Sequence, residues 1–329
     1  MRNAVIKSVG AYAPEKVLPN SYFNELLGED VDTWLRTNLT IKERRWCSEE
    51  QATSDLAVES AKVALERAGL KPEDLDLLIV STDTPDYISP STASVVQEKL
   101  HAVNAGTFDI NTACAGFVTG IDTATKFIKA DENYNNILVI GAYAMSKYLD
   151  LQDKKTVTLF ADGAGAVVLS AEETNERGYL GSKLHSEGQY NGWMGIYSGG
   201  TKDPLTPEKV QNKNHLLKFV KKFPKEINPT VWTRMITEVT SRQNISPKNV
   251  KHYFLTQINI NSIWETMDNL GVERERAHTI MDRFAYTGSA CIPMALNDAY
   301  EKGELKKGDP MVFMGSGGGL AFACALFVW

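Results

Sequence analysis

Apolar positions recur at helical spacing between residues 54 and 68, where Leu56, Ala57, Ala61, Ala64, Leu65 and Ala68 share one face. Gly69 ends that helix, and the fully apolar run Leu77-Leu78-Ile79-Val80 follows as a strand covered on both faces. Residues 115–129 predict another helix, and Ile137-Leu138-Val139-Ile140 another buried strand. Short apolar strands alternating with helices predict an α/β chain built on a covered, largely parallel sheet.

The second half repeats the plan. The stretch GLKPEDLDLLIVS (69–81) aligns with NISPKNVKHYFLT (244–256), with Pro72 over Pro247, and ILVIGA (137–142) aligns with MVFMGS (311–316). Between each pair the pattern predicts a strand, a turn of small residues and a helix, FDINTACAGFVTGI in the first half and DRFAYTGSACIPMAL in the second. An internal duplication of about half the chain explains this, with halves at 1–173 and 174–329 sharing one core. Residues 186–234 match nothing in the first half; they read as a long Gly-rich excursion, then a Lys-rich stretch and one helix.

With 43% hydrophobic and 23% charged residues over 329 positions, the composition is that of a globular chain and excludes disorder. The net charge of -6 argues against a nucleic-acid binder. No signal-peptide core and no apolar run of membrane-spanning length is present, which places the chain in the cytoplasm, off the membrane. Cys47, Cys114, Cys291 and Cys324 form no C-x-x-C pair, and no His lies at ligand spacing, so no metal site is expected.

Cys114 lies in Asn111-Thr112-Ala113-Cys114-Ala115-Gly116-Phe117, where a strand enters, small residues turn, and a helix leaves. A thiol near a helix N-terminus is favoured as thiolate and can accept an acyl group, with nearby N–H groups holding the oxyanion. The same residue also fits a small buried core cysteine. The nucleophile reading predicts that Cys114 alkylates before the other three cysteines. The Gly-rich GSGGG (315–319) follows a strand and precedes a closing strand, so it is not a dinucleotide loop. Asp162, in ADGAGA, reads as a turn-former; Asp83 and Asp86, in TDTPDY, read as solvated loop residues near the site entrance.

Five ordered blocks carry a resemblance: KERRWCSEEQATSDLA, DINTACAGF, LFADGAGAVVL (159–169), LHSEG (184–188) and GSGGGLAF (315–322). Together they resemble the ketoacyl-ACP synthase III family. The resemblance implies a thiolase-like fold, two duplicated α/β halves in a layered αβαβα core, and Cys114 as nucleophile. It also implies an oxyanion hole from the N–H groups of Cys114 and Gly318. The family's His-Gln-x-Asn motif reads Thr256-Gln257-Ile258-Asn259 here, and its triad Asn falls on Tyr286 before Thr287. Thr256 and Tyr286 therefore replace the catalytic His and Asn, while Gln257 and Asn259 are kept as substrate-binding positions. Neither replacement is a base near neutral pH.

The family's adenine-stacking position is Trp34, with Lys154 as the basic face of the clamp; the neighbouring family Arg appears as Asn38, and the basic docking residue as Asn261. The implied substrates are coenzyme A or phosphopantetheine thioesters, with no further cofactor. The implied partners are acyl-CoA or acyl carrier protein. Lys213, Lys218, Lys221, Lys222 and Lys225 form a patch that suits an acidic carrier, or a solvated face. A homodimer, or a heterodimer with a paralogue, would pair Phe108–Thr112 across the two-fold axis. The resulting expectation is an acyltransferase weak in decarboxylative condensation. The alternatives are a condensing enzyme with substituted helpers and a non-catalytic partner subunit.

Overall fold

The computed structural model describes residues 1–329. Its first sheet holds β1 (Arg2–Tyr12), β2 (Leu77–Ser81), β3 (Gly106–Ile110), β4 (Asn136–Ala144) and β5 (Asp162–Glu173), in the order β1-β5-β4-β2-β3. The second holds β6 (Gly178–Ser186), β7 (His252–Leu255), β8 (Pro310–Gly317) and β9 (Ala321–Val328), in the order β6-β9-β8-β7. Strand for strand, the second order repeats β1-β5-β4-β2. The sheets change hands between Glu173 and Gly178.

Two elements depart from the sequence reading. Parallel pairing is confined to β2 with β3, β2 with β4, and β7 with β8; the other pairs are antiparallel. The three residues between β8 and β9 allow only an antiparallel return. The second half also lacks a counterpart of β3, which survives as a single parallel bridge between Tyr253 and Ala277. Met281–Phe284 forms a helical turn instead, held by Ala285 N–H donating to the Met281 carbonyl and by an Arg283–Asp298 ion pair.

Helices α1 (Asp32–Leu39), α2 (Thr53–Ala68), α3 (Thr92–Leu100), α4 (Gly116–Ala130), α5 (Ile227–Ser241), α6 (Ile260–Leu270) and α7 (Cys291–Glu301) complete the frame. α2 lies on the first sheet and α5 on the second, with α6 packed against α5 and α1. α4 packs against strands of both sheets, and α7 against β1, β5 and β7, so these two form the middle layer of an αβαβα stack. The apolar face of α2 is buried, and Gly69 takes the left-handed conformation that closes it, with φ 66°. Asp109 on β3 accepts from the Thr92 and Ala93 N–H groups, each at 2.7 Å, capping α3 and tying it to the edge strand. No helix is long and apolar enough to cross a membrane.

Candidate active site

β3 delivers the chain to a tight turn at Asn111–Ala115 before α4 begins. Asn111 Oδ1 accepts from Ala113 N–H at 3.0 Å, and Ala113 takes φ +46°, rare for a residue with a side chain. Ala115 and Gly116 N–H groups close the turn onto the Thr112 and Ala113 carbonyls. The Cys114 and Gly318 N–H groups donate to no carbonyl, so both remain free for an oxyanion. Gly317 has to be glycine: a Cβ there would lie 2.5 Å from the Thr112 carbonyl oxygen and 2.6 Å from the Cys114 nitrogen. The Gly-rich segment after β8 therefore presses its backbone onto the nucleophile turn.

The thiol is not the resting thiolate that the turn alone suggests. Cys114 is 2% exposed; burial and the Asp83 carboxylate push its pKa well above the ordinary value, against the nearby Tyr286 hydroxyl, which lowers it. A helix N-terminus offers at most about 2 kcal/mol toward an anion, and desolvation of a buried charge exceeds that. Cys47, Cys291 and Cys324 are also buried, and burial raises all three, Cys47 and Cys291 to about 12. Burial therefore works against fast alkylation of Cys114 at neutral pH, although of the four thiols only Cys114 lines either cavity.

Two cavities meet at Cys114. One, of about 350 Å³, runs from Trp34 past Asn259 and Tyr286 to Cys114, Gly317 and Gly318. Its outer end shares Trp34, Leu159, Phe219, Lys222 and Phe223 with a surface cavity of about 630 Å³ that also holds Lys154 and Lys155. The other, of about 250 Å³, lies beyond Cys114 and is lined by Asp83, Tyr143, Phe160 and Gly318 among others. Much of both walls comes from the excursion after residue 186, including Met194, Phe219, Phe223 and Ile227. Sequence reasoning missed these residues because that segment carries almost no periodicity.

The predicted site residues divide into two groups. Trp34 is 55% exposed at the mouth, and Lys154 beside it pairs with Glu29 at 3.0 Å. Asn259 caps α6 by accepting from Asn261 N–H, and lines the inner cavity. Tyr286 is buried, with its ring 5.5 Å from that of Phe160. Thr256 and Gln257 turn away from both cavities. Thr256 Oγ1 accepts from Ser316 N–H at 2.8 Å and donates to the Ser316 carbonyl at 3.4 Å. Gln257 donates to the His278 carbonyl and accepts from Ile280 N–H, bracing the segment before the helical turn. No histidine lines either cavity that reaches Cys114.

Asp162 is fully buried and accepts from Cys47 N–H and Ser146 N–H, which is a structural role. Asp83 overturns its expected role as a solvated loop residue. Asp83 is half-buried with Oδ1 closed off from solvent; its carboxyl makes no hydrogen bond to another side chain or to a neighbouring backbone group, and desolvation pushes its pKa up to about 6. The sign of the consequence follows. A carboxyl with folded pKa above its unfolded value binds its proton more tightly when folded, so stability is lost as pH rises from about 4 to about 6. Asp83→Asn should be more stable than the parent at pH 7 by on the order of 2 kcal/mol, and the gain should vanish at pH 4. Urea denaturation at the two pH values measures this; an equal difference at both would refute it.

Comparison with known proteins fits this geometry. Residues 108–188 match the family model described as 3-Oxoacyl-[acyl-carrier-protein (ACP)] synthase III, and residues 240–329 match that of its C-terminal part. The beta-ketoacyl-[acyl-carrier-protein] synthase III of Staphylococcus haemolyticus is 38% identical over 99% of both chains. That of Caldanaerobacter subterraneus is 37% identical, over 99% of this chain and 98% of the relative. The crystal structure of 3-oxoacyl-[acyl-carrier-protein] synthase III from Aquifex aeolicus superposes with a TM-score of 0.89 at 31% identity, covering 99% of this chain and 100% of that one.

Proposed function

The chain belongs to the 3-oxoacyl-[acyl-carrier-protein] synthase III family, and we propose that it is an acyltransferase whose Cys114 takes an acyl group from a coenzyme A or carrier-protein thioester but is poor at decarboxylative condensation. The observation that carries the reading is Cys114 at the meeting point of two cavities that no histidine lines. The long cavity suits the pantetheine arm, and the outer one the nucleotide or carrier end. There Trp34 offers a stacking face, and Lys154, Lys155, Lys221 and Lys222 offer positive charge to phosphates or an acidic carrier surface.

In the acylation step the Cys114 sulfur attacks the thioester carbonyl carbon. The oxyanion that forms is met by the N–H groups of Cys114 and Gly318, and the pantetheine thiol leaves with the proton that Cys114 gave up. The acyl chain then occupies the cavity beyond Cys114. Intact-protein mass spectrometry after incubation with a panel of acyl thioesters tests the reading. An adduct on Cys114 supports it; no adduct from any thioester favours a non-catalytic partner subunit.

We also propose a dimer formed through β3. This strand is the open edge of the first sheet and is only half-buried. Tyr87, Ile88 and Val103, on the loops flanking α3 beside it, are 58%, 87% and 70% exposed. An unpaired edge bordered by apolar side chains is a surface that a second copy, or a paralogue, covers by continuing the sheet. Light scattering should give twice the 36.4 kDa chain mass at micromolar concentration. Phe108→Asp should shift it to monomer, and a monomeric parent protein would contradict the assignment.

A further inference from the structure

The cavity beyond Cys114 is apolar on one side, with Phe160, Met145 and Leu217, and polar on another. Asn111 and Tyr197 on its wall are hydrogen-bonded within the chain, but the Asp83 carboxyl and the Tyr143 hydroxyl are not. Asp83 follows β2 on a turn fixed at both neighbours. Thr82 N–H donates to the Ile110 carbonyl, and the Thr84 hydroxyl accepts from Ala144 N–H at 2.9 Å. Thr82 and Thr84 are themselves buried. The carboxyl is thus held in place rather than carried on a mobile loop. Its Oδ1 is shut off from water and meets no donor. Tyr143, 1% exposed, lines the same cavity and feels the charge of Asp83; its hydroxyl makes no hydrogen bond within the chain and, unlike Asp83 Oδ1, is not closed off from the cavity. Polar groups in a largely buried pocket are almost always hydrogen-bonded, so a carboxyl and a phenol that line one cavity beside a nucleophile and have no partner in the chain suit a ligand that supplies the missing bonds.

We infer that Asp83 and Tyr143 are specificity-determining residues that select an acyl group bearing a hydroxyl. A hydroxyl donates once and accepts twice. It can donate to Oδ2 of the Asp83 carboxylate, the oxygen that is not closed off, while accepting from the Tyr143 phenol, giving both groups a partner. A plain alkyl chain leaves both unpaired, and a site built to bond a hydroxyl discriminates strongly against the analogue that lacks one. An ammonium would satisfy Asp83 but has no lone pair for the Tyr143 hydroxyl to donate to. The inference rests on the reading of Cys114 as the acyl acceptor and of this cavity as the place of the acyl chain.

The test compares rates of Cys114 acylation by butyryl-CoA and by each enantiomer of 3-hydroxybutyryl-CoA, followed by intact mass. The unaltered protein should favour one hydroxybutyryl enantiomer about tenfold to a hundredfold. Asp83→Val should remove or reverse the preference by speeding butyryl transfer while slowing hydroxybutyryl transfer. Asp83→Asn, which keeps an acceptor oxygen, should retain part of it, and Tyr143→Phe should reduce it severalfold. Equal rates for butyryl and both hydroxybutyryl thioesters overturn the inference and leave the acyltransferase reading intact. So does a uniform slowing of all three thioesters by Asp83→Asn and Asp83→Val, the mark of a structural or general-base role. Failure of every thioester to label Cys114 overturns both. Adding β-alanyl-CoA separates hydroxyl from ammonium recognition: a preference for β-alanyl over hydroxybutyryl transfer also overturns the inference.

Discussion

Cys114→Ala should gain no mass from any acyl thioester, whereas the unaltered protein gains one acyl group. The other three thiols cannot substitute, because none of them lines a cavity that reaches the Cys114 site. Cys291 is the sharpest control: it is near enough for its charge to act on Cys114, yet its sulfur is buried at the start of α7. An adduct on Cys291 would sink the assignment. The substitution removes one sulfur atom from a packed turn, so its cost in stability should be about 1 kcal/mol, and the purified variant should remain folded. The pH dependence gives a second check. With the thiol held well above its ordinary pKa by burial and Asp83, the thiolate fraction grows about tenfold per pH unit through neutrality. Acylation should therefore still be accelerating at pH 8 to 9 rather than levelling near 7. A plateau below pH 7 would mean that substrate or Tyr286 lowers the thiol far more than the resting structure does.

The parts of this molecule that were legible in its sequence are those governed by local pattern. The apolar face of α2 and its Gly69 stop follow from spacing and from the tolerance of glycine for positive φ. The repeat of β2 and β4 in β7 and β8 follows from two alignments that agree to one residue. The small residues around Cys114 announced a turn where backbone has to approach backbone, and Gly317 shows why. What escaped depends on tertiary placement. The missing fifth strand of the second sheet could not be told from its sequence, because DRFAY carries no period that separates a strand from the helical turn it forms, in which Arg283 pairs with Asp298 on α7. Asp83 looked like any loop carboxylate; its burial is a property of the walls around it. Those walls come in part from residues 186–234, where the strands are two residues long and leave no trace of period two. A helix N-terminus does favour a thiolate at Cys114, but the desolvation of the buried sulfur outweighs it.

The second large effect concerns condensation. The unaltered protein should become acylated at Cys114 and yet release CO₂ from a malonyl thioester no faster than the Cys114→Ala background. Decarboxylation builds charge on the thioester oxygen, and the family pattern meets it with donors from a His and an Asn. Here the Thr256 hydroxyl is already committed to the backbone of Ser316 on both its donor and acceptor sides, so it has no proton to offer a substrate. Tyr286 lines the cavity at Cys114, but its hydroxyl lies near the thiol, whose pKa it lowers, and supplies one donor where the family pattern has two. One well-placed oxyanion donor contributes about 3 kcal/mol, roughly a hundredfold in rate, so the deficit is about a hundredfold with Tyr286 donating and reaches on the order of ten thousandfold without it. Thr256→His with Tyr286→Asn should recover part of it, a hundredfold or more if the His ring enters the cavity. Tyr286→Asn alone empties the space of a ring packed on Phe160 and should cost about 3 kcal/mol in stability without restoring decarboxylation. Labelled malonyl thioester, with CO₂ release counted against acyl-enzyme formation, measures both. Rapid CO₂ release by the unaltered protein would return it to the condensing enzymes and would mean that Tyr286 alone, freed from the thiol once Cys114 is acylated, holds the developing oxyanion.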